Sequence, residues 1–174
     1  VILSYTPSGK EPRRFEEKRI FFTDPSAIDL FDLHFIDGDP ETALNEVNTI
    51  VLTASMAKRY FGDEGPLGKT ISMGGDMALV QVTGVIDDLL LNTHLQFDCL
   101  VSMPTLHSFM VKVGMEDLYN NRGWAAVYTY ILLHPDRARA AVESKFPDFM
   151  VDYYAGFGTR EKILATFDLH LQPI

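Results

Sequence analysis

Gly62-Asp63-Glu64-Gly65-Pro66-Leu67-Gly68-Lys69-Thr70 is the first stretch that could do chemistry, because Gly-Lys-Thr closes the loop that cradles nucleotide phosphates. That loop also needs a glycine opening the frame and free backbone N–H groups to ring the phosphate. Here Asp63 holds the opening position, with a carboxylate that repels phosphate, and Pro66 removes one donor. The stretch follows a helical pattern and precedes a strand pattern, the reverse of the required order. A tight turn between helix and strand accounts for these residues without a nucleotide.

The five histidines are His34, His94, His107, His134 and His170. No two stand at the i, i+4 spacing that would set their imidazoles together on a helix, and none lies in a His-Glu-x-x-His pattern. His94 is the best placed for a metal, following Asp87-Asp88 and Asn92-Thr93; a loop histidine bonded to nearby backbone is the simpler reading. Asp37-Gly38-Asp39 has the start of a calcium loop but lacks the regular acidic series and the closing glutamate. A turn held by Asx side chains explains it. No Gly-x-Ser-x-Gly elbow exists. Cys99 sits in the apolar run Phe97 to Val101, where a small buried residue is the default. Trp124, the single tryptophan, enters an apolar segment and is expected to pack rather than stack on a ligand. No catalytic, cofactor-binding or metal-ligating residue is assigned, and no cofactor.

Composition narrows the partners. The formal net charge of −9 argues against nucleic acid. The densest basic stretch, Lys10 to Arg19, is interrupted by Glu11, Glu16 and Glu17. Hydrophobic residues at 47% and charged residues at 22% are globular values, so the chain can bury a core. One cysteine excludes an intramolecular disulfide. No run approaches the roughly 18 apolar residues of a membrane span. The chain begins at Val1 and closes on Leu171-Gln172-Pro173-Ile174, as a piece cut from something longer would.

The elements follow from periodicity and breakers. Val1 to Tyr5 and Phe15 to Thr23 read as strands across a Pro7-Ser8-Gly9 turn. Asp24-Pro25 reads as a helix start, with Ala27, Leu30 and Phe31 on its apolar face. Thr49 to Leu52 is a short buried strand, and Thr53 caps a helix from Ala54 to Phe61 that Gly62 stops. Lys69 to Met73 and Ala78 to Ile86 form a hairpin over Gly74-Gly75, with Val80, Val82 and Ile86 on one face and Gln81 and Thr83 on the other. Leu95 to Ser102 is a strand, Pro104 starts a helix carrying Leu106, Phe109, Met110 and Val113, and Val127 to Leu133 is an interior strand apolar on both faces. Pro135-Asp136 opens a helix that Pro147 interrupts. Phe167, Leu169 and Leu171 alternate as a half-buried strand. Hairpins mixed with short helices predict an α+β fold.

Three groups of segments resemble the MacB-like periplasmic core domain of FtsX-like ABC-transporter permeases, the Bacteroidetes type in particular. They are Thr23-Asp24-Pro25 through Phe31 with Phe35 to Pro40 and Ala43-Leu44; Ile50 to Gly62 with Pro66-Leu67-Gly68-Lys69; and Val82 to Ile86 with Asn92 to Asp98. Trp124 and Tyr128-Thr129-Tyr130 with Leu132 complete the match. Leu90 departs from the family, which usually has proline there. The resemblance implies a periplasmic portion of an inner-membrane protein, incomplete at both ends over residues 1–174. It implies Porter-like βαβ units in 1–94 plus 161–174 and a smaller Sabre-like α/β part in 95–160. It implies a cytoplasmic ABC ATPase acting through the membrane segments, a second permease copy and a periplasmic adaptor as partners. The domain would have no catalytic role and would transmit ATP-driven motion, to export a substrate or engage a periplasmic partner. A soluble extracytoplasmic ligand-sensing domain is the alternative. The coding DNA on either side separates the two. Apolar spans of about 20 residues, one upstream and three downstream, are expected for a permease; flanks without such spans would favour the sensor.

Overall fold

The computed structural model describes residues 1–9, 11–75, 77–90, 93–119, 121 and 127–173. The chain divides into two compact units, Val1–Asn120 and Asn121–Ile174. The first contains an eight-stranded sheet. Its strands are β1 (Ile2–Tyr5), β2 (Arg13–Glu16), β3 (Ile20–Thr23), β4 (Phe35–Gly38), β5 (Thr49–Thr53), β6 (Thr70–Met73), β7 (Ala78–Ile86) and β8 (Cys99–Ser102). They lie in the order β2-β1-β6-β7-β5-β8-β3, and β4 pairs with the end of β7. The β5/β7 and β3/β8 pairs are parallel and the others antiparallel. Helices α1 (Ala27–Leu30), α2 (Ala54–Phe61), α3 (Met103–Lys112) and α4 (Glu116–Tyr119) complete the unit. This is the α+β fold that the alternation of hairpins and short helices predicts.

The interior strands carry the packing. Every residue of β5 and β8 is buried, so their alternate side chains feed two cores on opposite faces of the sheet. Ile50, Leu52, Cys99 and Val101 join Leu3, Met56, Tyr60, Phe61, Ile71, Val80 and Val82 in the first. Val51 and Leu100 join Ile28, Ala43, Leu44, Ile86 and Phe97 in the second. Helix α2 covers the first core with Met56, Ala57, Tyr60 and Phe61, the i, i+4 pairs that its sequence stacks. Its ends are also as the sequence predicts. The Thr53 hydroxyl accepts a bond from Met56 N at 3.4 Å, and Gly62 stops the helix with φ at +68°.

Strand β7 departs from simple alternation. Val82 and Gly84 take the consecutive partners Ile50 and Val51, so Thr83 is an extra residue, a β-bulge. Its hydroxyl donates to the carbonyls of Ala43 at 2.6 Å and Ile50 at 3.2 Å. The bulge reverses the faces beyond it. Ile86 therefore packs in the second core, and Val85 takes the place beside Val80 and Val82 that alternation assigned to Ile86.

Other boundaries shift for identifiable reasons. The expected strand Phe15 to Thr23 is two strands, because Glu17 turns inward between β2 and β3 and the two pair with different partners. Helix α1 begins only after Ser26, with Asp24 left outside as the acceptor of a turn bond from Ala27 N at 3.1 Å; its buried residue is Ile28. Strand β8 starts at Cys99 rather than Leu95. Helix α3 has Pro104 in its first turn, but Thr105 is its buried residue, and the expected apolar face from Leu106 to Val113 stays partly open.

The second unit holds α5 (Arg139–Glu143), α6 (Phe146–Tyr153) and α7 (Arg160–Thr166). Residues 127–133 are not a strand there. They have no ladder partner among the described residues, and Tyr128 and Leu132 are 82% and 79% exposed. A strand needs a neighbour to satisfy its backbone, whatever its side chains prefer. Phe167 to Leu171 likewise has no ladder partner among the described residues. Phe167 stacks on Tyr154 with centroids 3.9 Å apart, and Leu171 N donates to Glu143 Oε1 at 2.8 Å. The helix expected from Pro135 starts at Arg139, and Pro147 sits in the first turn of α6. No helix among the described residues is long and apolar enough to cross a membrane.

Gly84 tests the crossing of β4, β5 and β7. A Cβ there would lie 2.4 Å from Phe35 Cε1 and 3.3 Å from Val51 Cγ2. Gly84→Ala is expected to cost about 1–3 kcal/mol in urea unfolding, as overpacking does. Adding Phe35→Leu should recover part of that loss; no recovery would show that the ring is not what the methyl strikes.

Candidate functional site

The chemistry that the sequence suggested is spent on structure. In the Gly62–Thr70 loop, Gly68 N donates to Val82 O at 2.8 Å and Lys69 N to Pro66 O at 3.1 Å, so these donors do not point at a ligand. Lys58 binds Asp63 and Lys69 binds Glu64. The Lys69 ammonium also lies 5.6 Å from the Tyr5 ring centre and 5.4 Å from that of Phe61. The Glu64 carboxylate raises the Lys69 pKa, and Lys58 lowers that of Asp63. Each charge in the loop is held by its neighbour.

The histidines remain scattered. His34 Nδ1 meets Asp87 Oδ2 at 2.7 Å, and His107 packs on the Tyr119 ring at 4.6 Å. His134 lies 3.5 Å from Asp136, and His170 lies 3.9 Å from Asp168. Asp87 thus serves His34. Asp88 accepts from Ser55 N at 2.9 Å and from its hydroxyl at 2.6 Å, bonds that lower its pKa and bind the first turn of α2. Asn92 and Trp124, both weighed in the sequence, lie outside the described residues. Asp39 forms the expected Asx turn, accepting from Glu41 N at 3.0 Å and from the Thr42 hydroxyl at 2.9 Å. No group of three or more metal-binding side chains forms among the described residues. Cys99 is fully buried, and burial pushes its thiol pKa far above the usual value.

A network that no local pattern signals joins β2, β3 and α2. The Glu17 carboxylate, 5% exposed, accepts from Arg59 Nη2 at 2.6 Å and from the Tyr60 hydroxyl at 2.9 Å. Arg13 Nη1 donates to the Tyr60 carbonyl at 2.6 Å, and Arg59 lies over the Phe15 ring at 5.3 Å. The partners are 42 and 43 residues apart along the chain, so no spacing rule finds them. With both donors aimed at one carboxylate, the arrangement pins the chain between β2 and β3 to α2. It presents no nucleophile to solvent.

What remains is surface. In the second unit Val127, Tyr128, Ile131 and Leu132 are exposed, as are Phe149 and Phe157. A shallow pocket of about 180 Å³ is lined by Phe157, Lys162, Ile163, Thr166 and Phe167. That is smaller than the roughly 300–1,000 Å³ usual for small-molecule sites. Contact area, rather than a set of reacting groups, is what the described surface offers.

The family model of the MacB-like periplasmic core domain matches residues 2–149. A domain designated a permease protein of Porphyromonas gingivalis superposes with a TM-score of 0.60 at 16% identity, over 88% of this chain and 65% of that one. The periplasmic region of MacB from Actinobacillus actinomycetemcomitans superposes with a TM-score of 0.56 at 16% identity, over 95% of this chain and 70% of that one. This chain therefore spans just under two thirds of the length of the P. gingivalis domain. No curated protein matches the sequence significantly.

The burial of Tyr60 and Cys99 has a measurable consequence. Desolvation, and then the bond to Glu17, raises the Tyr60 pKa far above its ordinary 10.0. Both groups are held neutral in the folded state, so stability is full below their ordinary values and falls as pH rises past them. Urea unfolding between pH 8 and 11 is expected to show that fall. Tyr60→Phe should make it shallower by about 1.4 kcal/mol per pH unit above roughly pH 10. An unchanged slope would refute the assignment.

Proposed function

Since the chain belongs to the MacB-like periplasmic core domain family, we propose that it passes ATP-driven movement from an ABC-transporter permease to the periplasmic side of the inner membrane. The movement would serve export of a substrate or engagement of a periplasmic partner. The family match over residues 2–149 carries this reading. The proposed partners are a cytoplasmic ABC ATPase reached through membrane segments, a second copy of the permease and a periplasmic adaptor. ATP hydrolysis belongs to the ATPase.

The physical character of the domain supports a mechanical task. A sheet with a core on each face resists bending, because close-packed interiors transmit displacement instead of absorbing it. The proposed Porter-like part is 1–94 with 161–174, and the proposed Sabre-like part is 95–160. Strand β8 lies in the second of these spans yet pairs with β5 and β3 of the first. On this division one shared sheet would couple the two parts.

The test uses the full-length permease with its ATPase in membrane vesicles, spin-labelled at the exposed position Ser108. Trapping nucleotide on the ATPase is expected to shift the label–label distance between two copies. A distribution that does not change between nucleotide-free and trapped states would overturn the motion-transmitting reading.

A further inference from the structure

The small pocket of the second unit has walls of two kinds. Its volume of about 180 Å³ is close to the roughly 150 Å³ of a cavity that takes up benzene, so it has room for one ring-sized side chain. Ile163, 2% exposed, and Phe167 stand at i, i+4 along α7 and its C-cap, and Lys162 and Thr166 stand at i, i+4 on the stripe beside them. Phe157, between Gly156 and Gly158, adds a second aromatic wall. Its ring is edge-on to Tyr154 at 5.5 Å, and Tyr154 stacks on Phe167 at 3.9 Å. Phe157 is nevertheless 63% exposed, so it keeps an open face for a further apolar group.

The polar wall separates a donor from an acceptor. Gly158 lets the Lys162 stem lie against the backbone, where a Cβ would come within 2.9 Å of Lys162 Cδ. No carboxylate among the described residues pairs with the Lys162 ammonium, and none of the residues lining the pocket is acidic. The Thr166 hydroxyl donates its hydrogen to the Lys162 carbonyl at 2.8 Å, which leaves its oxygen only to accept.

We propose that this pocket binds the C-terminal residue of a peptide chain, one with an apolar side chain. Such a residue joins the three groups that the walls ask for within a few bonds of one another. Its side chain packs between Phe157, Ile163 and Phe167, its carboxylate meets Lys162, and its backbone N–H donates to Thr166. The lone pairs of Thr166 repel a carboxylate and so direct it to Lys162. A segment from inside a chain needs two residues to supply a ring and a carboxylate, and the pocket has space for one side chain. A free amino acid is disfavoured, because its ammonium would stand near Lys162 with no acidic lining residue to receive it. The site does not depend on the motion-transmitting reading.

The experiment is equilibrium dialysis of the full-length protein, in lipid nanodiscs, against labelled N-acetylphenylalanine, its amide and 3-phenylpropanoate. The amide, which lacks the carboxylate, is expected to bind at least about fivefold more weakly than N-acetylphenylalanine. The propanoate lacks the N–H and should bind at least about twofold more weakly. Lys162→Met should abolish the preference for acid over amide, and Thr166→Val the preference over 3-phenylpropanoate. Phe157→Ala should weaken all three probes together. These three residues are exposed, so their replacement leaves buried Ile163 in place. Equal binding of acid and amide, or a preference that survives Lys162→Met, overturns the proposal. So does the absence of saturable binding of N-acetylphenylalanine up to about 10 mM. Binding of 3-phenylpropanoate as tight as that of N-acetylphenylalanine overturns the chain end as ligand and assigns a free apolar acid instead.

Discussion

The burial of β5 and β8 on both faces is the constraint from which the rest of the first unit follows. A strand with no solvent side must be covered above and below, and its ends must leave the sheet without stranding polar groups. The covering falls to α2 on one face and to the segment from Ile28 to Leu44 on the other. The polar exits are met at once. Thr53 caps α2 as β5 ends, and Ser102 bonds the Glu46 carbonyl at 2.7 Å and the Thr105 hydroxyl at 2.7 Å as β8 ends. Leaving such groups unpaired would cost about 1–3 kcal/mol each.

The Thr83 bulge decides which residues of one long strand serve each core. Without it Ile86 would fall on the face of Val80 and Val82 and Val85 on the opposite one, so the second core would receive the smaller Val85 in place of Ile86. The bulge also explains why Gly84 is glycine, since Phe35 of β4 crosses at the point where a side chain would stand. Glu17 plays a comparable part for β2, β3 and α2. It ends β2, starts the run to β3 and ties both to α2 through Arg59 and Tyr60. A buried carboxylate with two donors is costly to leave half-paired, which favours a single arrangement of the three elements.

These devices make a rigid body, and rigidity is consistent with membership of the MacB-like periplasmic core domain family. The titratable residues that drew attention in the sequence are tied pairwise to neighbours: Lys69 to Glu64, His34 to Asp87, Asp88 to Ser55. Small helices and apolar segments with no strand partner among the described residues make up the second unit, whose described side chains are mostly exposed. Such surfaces suit contact with other chains better than chemistry on a small molecule.

Local order was legible from the amino-acid sequence because it depends on neighbours a few residues away. Thr53, the i, i+4 pairs of α2 and the Gly62 stop are all satisfied within one helix. The Gly74-Gly75 hairpin and the Asp39 turn are similar, and the motif from Ile50 to Lys69 is one of the local segments that together indicate the family. Tertiary structure decided what depends on distant partners. Apolar alternation marks 127–133 and 167–171 as strands, but a strand exists only where a second one accepts its hydrogen bonds, and none does so among the described residues. The Thr83 bulge comes from the register of β5 against β7, and Glu17 finds its donors 42 and 43 residues away. Spacing along a chain carries no record of such pairings, because they are fixed only when the two cores close.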